Sequence, residues 1–374
     1  MTSANLVVSS GEVTALRLID IAYSVDLAHA ERLWTERGST AFARSSLSST
    51  PPEAISFGVP PLWLSLGEVE VVLASGPARA TMSVRLYDFG LAALSLRIRR
   101  TGQPWSSYVR DVTDVDTRFG PASGTRFWND LLERVQDVIR PSLERPTEGE
   151  RLDEDHLIAT VHAFNENMDA ERLMETVDLV EVLTGETRPL SRSARKELLS
   201  RSFSYYADDL VVLTWDRAFI YEPRGDSDVA DVIEVANAQL VEMRYYDLHL
   251  DDELPHMYDQ VEKARSTASL LASRRFAHLA RGLYALVAEV TELTERVDNA
   301  LQVTEDVYLA RIYSSALSLF RVQALSASVD RKLSIIRDTY AALYEEASSR
   351  RNEWLEIAIV ILIVVEIVIS LTHA

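Results

Sequence analysis

Residues 354–371 read WLEIAIVILIVVEIVISL, and this stretch governs the reading of the whole chain. Wound as an α-helix it is about 27 Å long, close to the thickness of bilayer hydrocarbon. Apolar residues lie on every side rather than along one stripe, which argues against a buried amphipathic helix. Arg350 and Arg351 precede the run, and Thr372, His373 and Ala374 follow it. The expectation is one C-terminal transmembrane helix, a tail anchor in the cell inner (cytoplasmic) membrane, with the N-terminal body in the cytoplasm. Trp354 and Glu356 fall where headgroups tolerate an amphipathic ring and a carboxylate. Glu366 lies inside the apolar run, where a carboxylate is costly. Two readings of Glu366 stand: it faces a helix–helix interface, or it snorkels to the far headgroups. Arg350, Arg351, Trp354, Glu356 and Glu366 are thus the candidate anchor and assembly residues.

Upstream, the chain reads as helix. Leu279, Leu283, Leu286, Val290, Leu293 and Val297 alternate four and three apart, a heptad seam. Val329, Leu333, Ile336, Tyr340, Leu343 and Ala347 make a second. Residues 298–306 (DNALQVTED) hold turn and cap types between them. The two seams predict a long antiparallel helical hairpin, a coiled-coil stalk over 228–353, whose second helix runs unbroken from Glu305. Leu301, Leu309, Ile312, Leu319 and Val322 add a surplus apolar stripe, from which a homo-oligomer larger than a dimer is expected.

The remainder reads as an α+β cytoplasmic head in two pieces, 1–141 and 156–227. Residues 142–155 (SLERPTEGERLDED), polar and proline-bearing, form the boundary. In the first piece, strand-like runs at 16–25, 69–73, 82–87 and 91–98 accompany helices at 27–37 and 121–139. In the second, strands at 157–164, 203–206, 210–214 and 218–221 accompany a helix at 169–183. A long helix starts near Asp228. Strand, helix, strands, helix occurs twice, which suggests duplicated α/β halves.

A formal net charge of −19 over 374 residues argues against direct DNA binding, which needs a basic face. The absence of cysteine excludes disulfides, thiolate metal sites and a Cys nucleophile. No phosphate loop or G-x-S-x-G elbow is present. His156 and His162 share an even offset in a strand, and His249 and His256 flank Asp251, Asp252 and Glu253. Neither spacing is a metal signature, and Pro255 is expected to break the helix that would align the second pair. Asp208-Asp209 reads as a turn rather than a catalytic dyad. No cofactor, metal or catalytic residue is assigned. In 233–259 (IEVANAQLVEMRYYDLHLDDELPHMYD), Arg244, Tyr246 and Asp247 are interface candidates. Arg and Tyr are favoured at hot spots, and the alternative is surface pairing along the helix.

VANAQLVEMRYYDLHLDDEL (235–254) and the ending RRNEWLEIAIVILIVVEIVISL (350–371) resemble the "required for meiotic nuclear division" family. Its hallmark is a C-terminal span of the type L-E-W…L-I…E-I. Glu353, Trp354, Leu355 and Glu356 stand for the first part, with the order changed. Leu362, Ile363, Glu366 and Ile367 stand for the rest. DDLVVLTWDRAFIYE (208–222) fits the family's mid-body. The resemblance implies no catalytic residues. It implies a bacterial inner-membrane homo-oligomer and, from the family's mitochondrial members, a translation-related tether of ribosomes. The expected function is a non-enzymatic, tail-anchored scaffold whose partners are the lipid bilayer, its own copies and a cytoplasmic protein or ribonucleoprotein. The alternative is a CorA-like ion channel or channel regulator without the Gly-Met-Asn signature.

Overall fold

A computed structural model describes residues 6–37, 42–44, 59–123, 125–147, 149, 151–225, 228–265 and 307–372, with isolated helical positions between 278 and 291. Two compact units emerge: Met1–Arg244 with Arg296–Gln323, and Tyr245–Glu295 with Ala324–Ala374.

In the first unit, β1 (Val7–Asp20) is the organising strand. It pairs antiparallel with β6 (Leu91–Arg100) on one side and with β9 (Asp153–Phe164) on the other. From Val13 to Asp20 every residue is buried, so both faces of β1 are covered. Outward from β6 follow β5 (Gly76–Leu86), β4 (Leu62–Leu73) and β3 (Phe42–Arg44). Outward from β9 follow β12 (Arg217–Tyr221), β11 (Leu210–Leu213) and β10 (Ser202–Phe203). With β7 (Gln103–Pro104) beside β1, the described residues build one ten-stranded sheet. Only β9–β12 is parallel among these pairings. A separate two-stranded pair joins β2 (Ala22–Val25) to β8 (Leu143–Pro146). Gly90 closes the β5–β6 turn against β2. Its φ is +96°, and an added Cβ would sit 1.7 Å from the Ala22 carbonyl oxygen, so glycine is required there.

One sheet face is packed by α1 (Leu27–Glu36), α2 (Trp105–Phe119) and α3 (Thr125–Ile139). α1 starts where the Asp26 carboxylate accepts from the His29 N–H (2.9 Å), an N-cap. α2 buries Trp105, Tyr108, Val109, Val112 and Val115, at helical spacing. The Tyr108 hydroxyl reaches the Glu12 and Thr160 carbonyls (2.8 and 3.0 Å), tying the helix to β1 and β9. α3 buries Trp128, Leu131, Leu132, Val135 and Ile139. Each such side chain contributes about 1.5–3 kcal/mol of burial. α4 (Ala170–Thr176), α5 (Val180–Thr184) and α6 (Arg192–Leu199) fill the connection from β9 to β10. The opposite face takes the first part of α7 (Val229–Arg265) and α8 (Val307–Leu319), through contacts described below.

These facts correct the expected fold class. The head is not a pair of duplicated halves: β9, from the second stretch, pairs with β1 in the middle of one sheet. Among the described residues no helix is long and apolar enough to cross a membrane, so the expected transmembrane helix is not supported. α9 (Val322–Thr372) is long, but Glu356 and Glu366 confine its uninterrupted apolar run to 357–365. That is about 14 Å of helix, half the thickness of bilayer hydrocarbon. Nor does the second helix run unbroken from 305. Arg321 has φ 57°, and this left-handed residue separates α8 from α9. Pro255 does not end α7, which continues to Arg265 at the loss of one internal hydrogen bond.

In the second unit, Val329, Leu333, Ile336 and Leu343 are buried along α9, following the second seam. Of the first seam only Val290 is described, and it is buried; its other members, like Leu301, lie outside the described residues. Leu309, Ile312 and Val322 are buried inside the chain. They are therefore not surplus, and the oligomer expectation loses that support.

Candidate functional sites

Two buried guanidiniums fasten the α2 face of the sheet. Arg17 on β1 pairs with Asp153 and, at 3.6 Å, with Asp155 on β9. Arg217 on β12 donates to Asp116 of α2 at 2.5 Å and lies 3.7 Å from Asp216. Burial raises the Asp155 carboxyl above its ordinary range; Arg17 opposes that shift, and Asp216, Asp116 and Asp153 reinforce it. Asp116 is raised by burial in the same way, against the pull of Arg217. Gly185 ends α5 at φ +68°, and a Cβ there would meet the Arg217 guanidinium at 2.8 Å. At the β4–β5 turn, Asp111 of α2 takes the Ser75 hydroxyl (2.7 Å) and the Arg100 guanidinium (2.7 Å). Arg217, Ser75 and Arg100 are tied to α2, and Arg17 joins β1 to β9.

On the other face the ties run to α7 and α8. Arg85 of β5 donates to Asp231 (2.7 Å) and Glu234 (3.0 Å) of α7, and the Tyr87 hydroxyl also donates to Glu234 (2.9 Å). Burial raises the Glu234 carboxyl, against the pull of Arg85. Arg244 pairs with Glu154 of β9, so this interface candidate is engaged within its own unit. Tyr313 of α8 donates to Gln239 of α7 (2.7 Å). His156 of β9 is fully buried, with the Phe320 ring at 5.8 Å and edge-on to it. Trp215 meets Phe320 at 6.0 Å from the solvent side. Burial alone pushes His156 down to about 3. His162 lies apart, its Nδ1 3.2 Å from the Glu222 carbonyl.

Among the described residues a cleft of about 490 Å³ opens between α4 and the sheet edge β10. Met174, Phe203 and Leu210 give it an apolar floor, and Asp169 and Glu171 give it charge. Beside it Tyr205 and Tyr206 stand 64% and 48% exposed, their rings edge-to-face at 4.8 Å. Arg224 lies over the Tyr206 ring at 4.3 Å, and Tyr308 of α8 packs on Tyr205 at 5.4 Å. Asp209 holds the turn by accepting from the Tyr205 and Tyr206 N–H groups (2.7 and 3.2 Å). Sequence reasoning missed this site. Adjacent exposed tyrosines before a strand were the available signal.

In the second unit Lys332 of α9 donates to Asp247 (2.7 Å) and pairs with Asp251 (2.8 Å), joining α9 to α7. Tyr246 is buried beside Tyr245, which stacks on His249 at 5.8 Å. Burial opposes ionisation of Asp247, but the hydrogen bonds from Lys332 and Ser328 outweigh it and lower its carboxyl. Lys332→Met is expected to speed amide exchange in this part of α7 about fivefold, the effect of about 1 kcal/mol for a partly buried pair near the surface. The wild-type advantage should fade as pH falls through the depressed Asp247 range, where the carboxylate protonates. Farther along, α9 carries Arg350, Arg351 and Trp354, whose side chains lie outside the described residues, then Glu356 and Glu366, both exposed. Ile357, Ile359, Val360, Ile361, Leu362, Ile363, Val364, Val365, Ile367 and Ile369 are all between 47% and 67% exposed. Among the described residues no three metal-ligating side chains converge.

The first unit is thus a mixed α/β domain with helices on both faces of a single large sheet. The chain belongs to the family described as "Uncharacterized protein MJ0711, N-terminal domain", which matches residues 10–228. It is 24% identical over 215 residues to the uncharacterized protein MJ0711 of Methanocaldococcus jannaschii. That alignment spans 57% of this chain and 65% of the relative, so the match falls short of two thirds of the relative's length. No solved structure matches the chain. The matched region holds the sheet, Arg17, Arg85, His156 and the cleft, and ends before the α7 carboxylates Asp231 and Glu234.

Proposed function

We propose that the protein is a non-enzymatic scaffold that associates with lipid bilayers through the exposed apolar end of α9 and presents its α/β domain to a partner. The observation that carries this reading is the exposure of those ten Ile, Val and Leu side chains. Consecutive residues 357–365 turn to every side of the helix. A single partner helix covers one stripe, whereas a surrounding apolar phase covers all of them. Each side chain transferred from water contributes about 1.5–3 kcal/mol, far more than the few scattered apolar residues of an ordinary surface. The reading requires partition into lipid and no crossing of the bilayer. Neighbouring copies in one membrane would present these ends to each other, which fits the homo-oligomer implied by the sequence resemblance. The paired-off buried charges described above support a structural rather than a catalytic use.

The test is co-sedimentation of the full chain with phosphatidylcholine–phosphatidylglycerol vesicles. The wild type is expected to sediment with the lipid, and the double variant Ile361→Asp/Val364→Asp to remain largely in the supernatant. Equal sedimentation of both proteins, or a wild type that stays in solution, overturns the proposal.

A further inference from the structure

We infer that the cleft between α4 and β10 is a docking site for an extended, basic polypeptide segment, which adds to the sheet edge as a strand. This goes beyond the membrane reading and involves a different part of the chain.

The first argument is the edge itself. β10 ends the strand order, and its described partner is β11, on one side. The Leu213 N–H donates to the Arg201 carbonyl (3.2 Å), so the antiparallel alternation turns the backbone polar groups of residue 202 away from β11. A sheet edge with free main-chain groups is a template for strand addition. The edge is short, Ser202 and Phe203, and neither residue carries a charge. The second argument is shape. The cleft is lined by Ser202 and Phe203 of this edge, and Phe203, Met174 and Leu210 offer an apolar floor for an alternate side chain of an incoming strand. The third is charge. The lining carries Asp169 and Glu171 and no cation. The nearby Arg172 is paired with Glu166 at 2.6 Å, and Arg224, over the Tyr206 ring, lies outside the lining. Charge complementarity then selects a segment bearing Lys or Arg. Tyr205 and Tyr206, exposed and edge-to-face, supply the aromatic rim of a binding hot spot.

The probe is a fluorescein-labelled peptide, Ser-Lys-Val-Lys-Leu-Lys-Ser, titrated with the full chain in detergent and read by fluorescence anisotropy. Saturable binding is expected. Replacing each Lys of the peptide by Glu should weaken it by about tenfold or more, the effect of about 1.4 kcal/mol. Methylating alternate peptide amides should abolish binding, because strand addition needs those donors and side-chain docking does not. Glu171→Lys, at an exposed position, should weaken the Lys peptide by about tenfold while vesicle association is unchanged, which separates this site from the membrane reading. Tyr205→Ala should weaken it severalfold. The absence of saturable binding overturns the inference. So does equal affinity for the Lys and Glu peptides, or indifference to amide methylation.

Discussion

Arg85→Met is expected to destabilise the α/β domain by about 3–5 kcal/mol, because it leaves the Glu234 carboxylate buried without its cation. Arg85 and Glu234 are both nearly inaccessible, and the guanidinium serves Asp231 and Glu234 at once. The Tyr87 hydroxyl would remain on Glu234, but one neutral donor does not replace a charge. The pH dependence gives the mechanism a signature. Burial already holds the Glu234 carboxyl above its ordinary 4.5, even with Arg85 in place. Removing Arg85 raises it further. A group whose folded value lies above its unfolded value loses stability as pH rises through the folded value. The variant should therefore recover part of its loss between pH 7 and pH 5. The double variant Arg85→Met/Glu234→Leu should regain most of it at every pH, since it buries no charge. Urea unfolding followed by tryptophan fluorescence measures all three proteins. A single variant within about 1 kcal/mol of wild type would make the pair a surface-like contact and refute this account.

Much of the strand content was legible because the chemistry is local. The runs 91–98 and 157–164 are rich in Leu, Ile, Val and Ala between turn signals, and they became β6 and β9. The stretch 27–37 read as a helix and became α1, which the Asp26 side chain caps. What stayed hidden was non-local. Nothing in 7–20 says that its two neighbours are 91–100 and 153–164, so a repeated order of elements looked like a repeated fold. Helix α2 was missed although Trp105, Tyr108, Val109, Val112 and Val115 follow helical spacing. Its Val- and Thr-rich composition lowers helix propensity, and Pro104 at its start offers no side-chain cap. Arg85 and Glu234 were passed over because each is one charge in an apolar stretch, and only the fold brings them together across 149 positions. The end of α9 illustrates the opposite error. Glu356 was placed at the headgroups and Glu366 at an interface or the far headgroups, and the run was still taken to cross the bilayer. Arg244 was read as a helix-surface or interface charge, and the sheet supplies its partner, Glu154.

Acid should destabilise this domain through His156. The ring lies opposite Leu16 on β1 and edge-on to Phe320, and burial holds it near 3 against an ordinary 6.5. The unfolded chain therefore binds a proton that the folded chain refuses. The folded state is fully favoured above the unfolded value and loses stability as pH falls from about 6.5 towards 3. A difference of this size corresponds to on the order of 5 kcal/mol across that window. Asp20 works the other way. Burial lifts its carboxyl to about 6, despite the Thr147 hydroxyl at 2.8 Å and the nearby Arg151. Its contribution is present below the unfolded value of 3.8 and is lost as pH rises through about 6. Between pH 3.8 and 6 the two groups oppose each other proton for proton, so the His156 loss is unopposed between about 6.5 and 6 and again below 3.8. His156→Leu removes the titrating ring while keeping an apolar filler beside Phe320. Its unfolding free energy should fall much less than that of the wild type between pH 6.5 and 4, and the two curves should converge near neutrality apart from a small packing loss. Asp20→Asn should steepen the acid decline, because the opposing term is gone. Parallel stability–pH curves for wild type and His156→Leu would show that the ring is hydrated, or charged with a partner, in the folded protein.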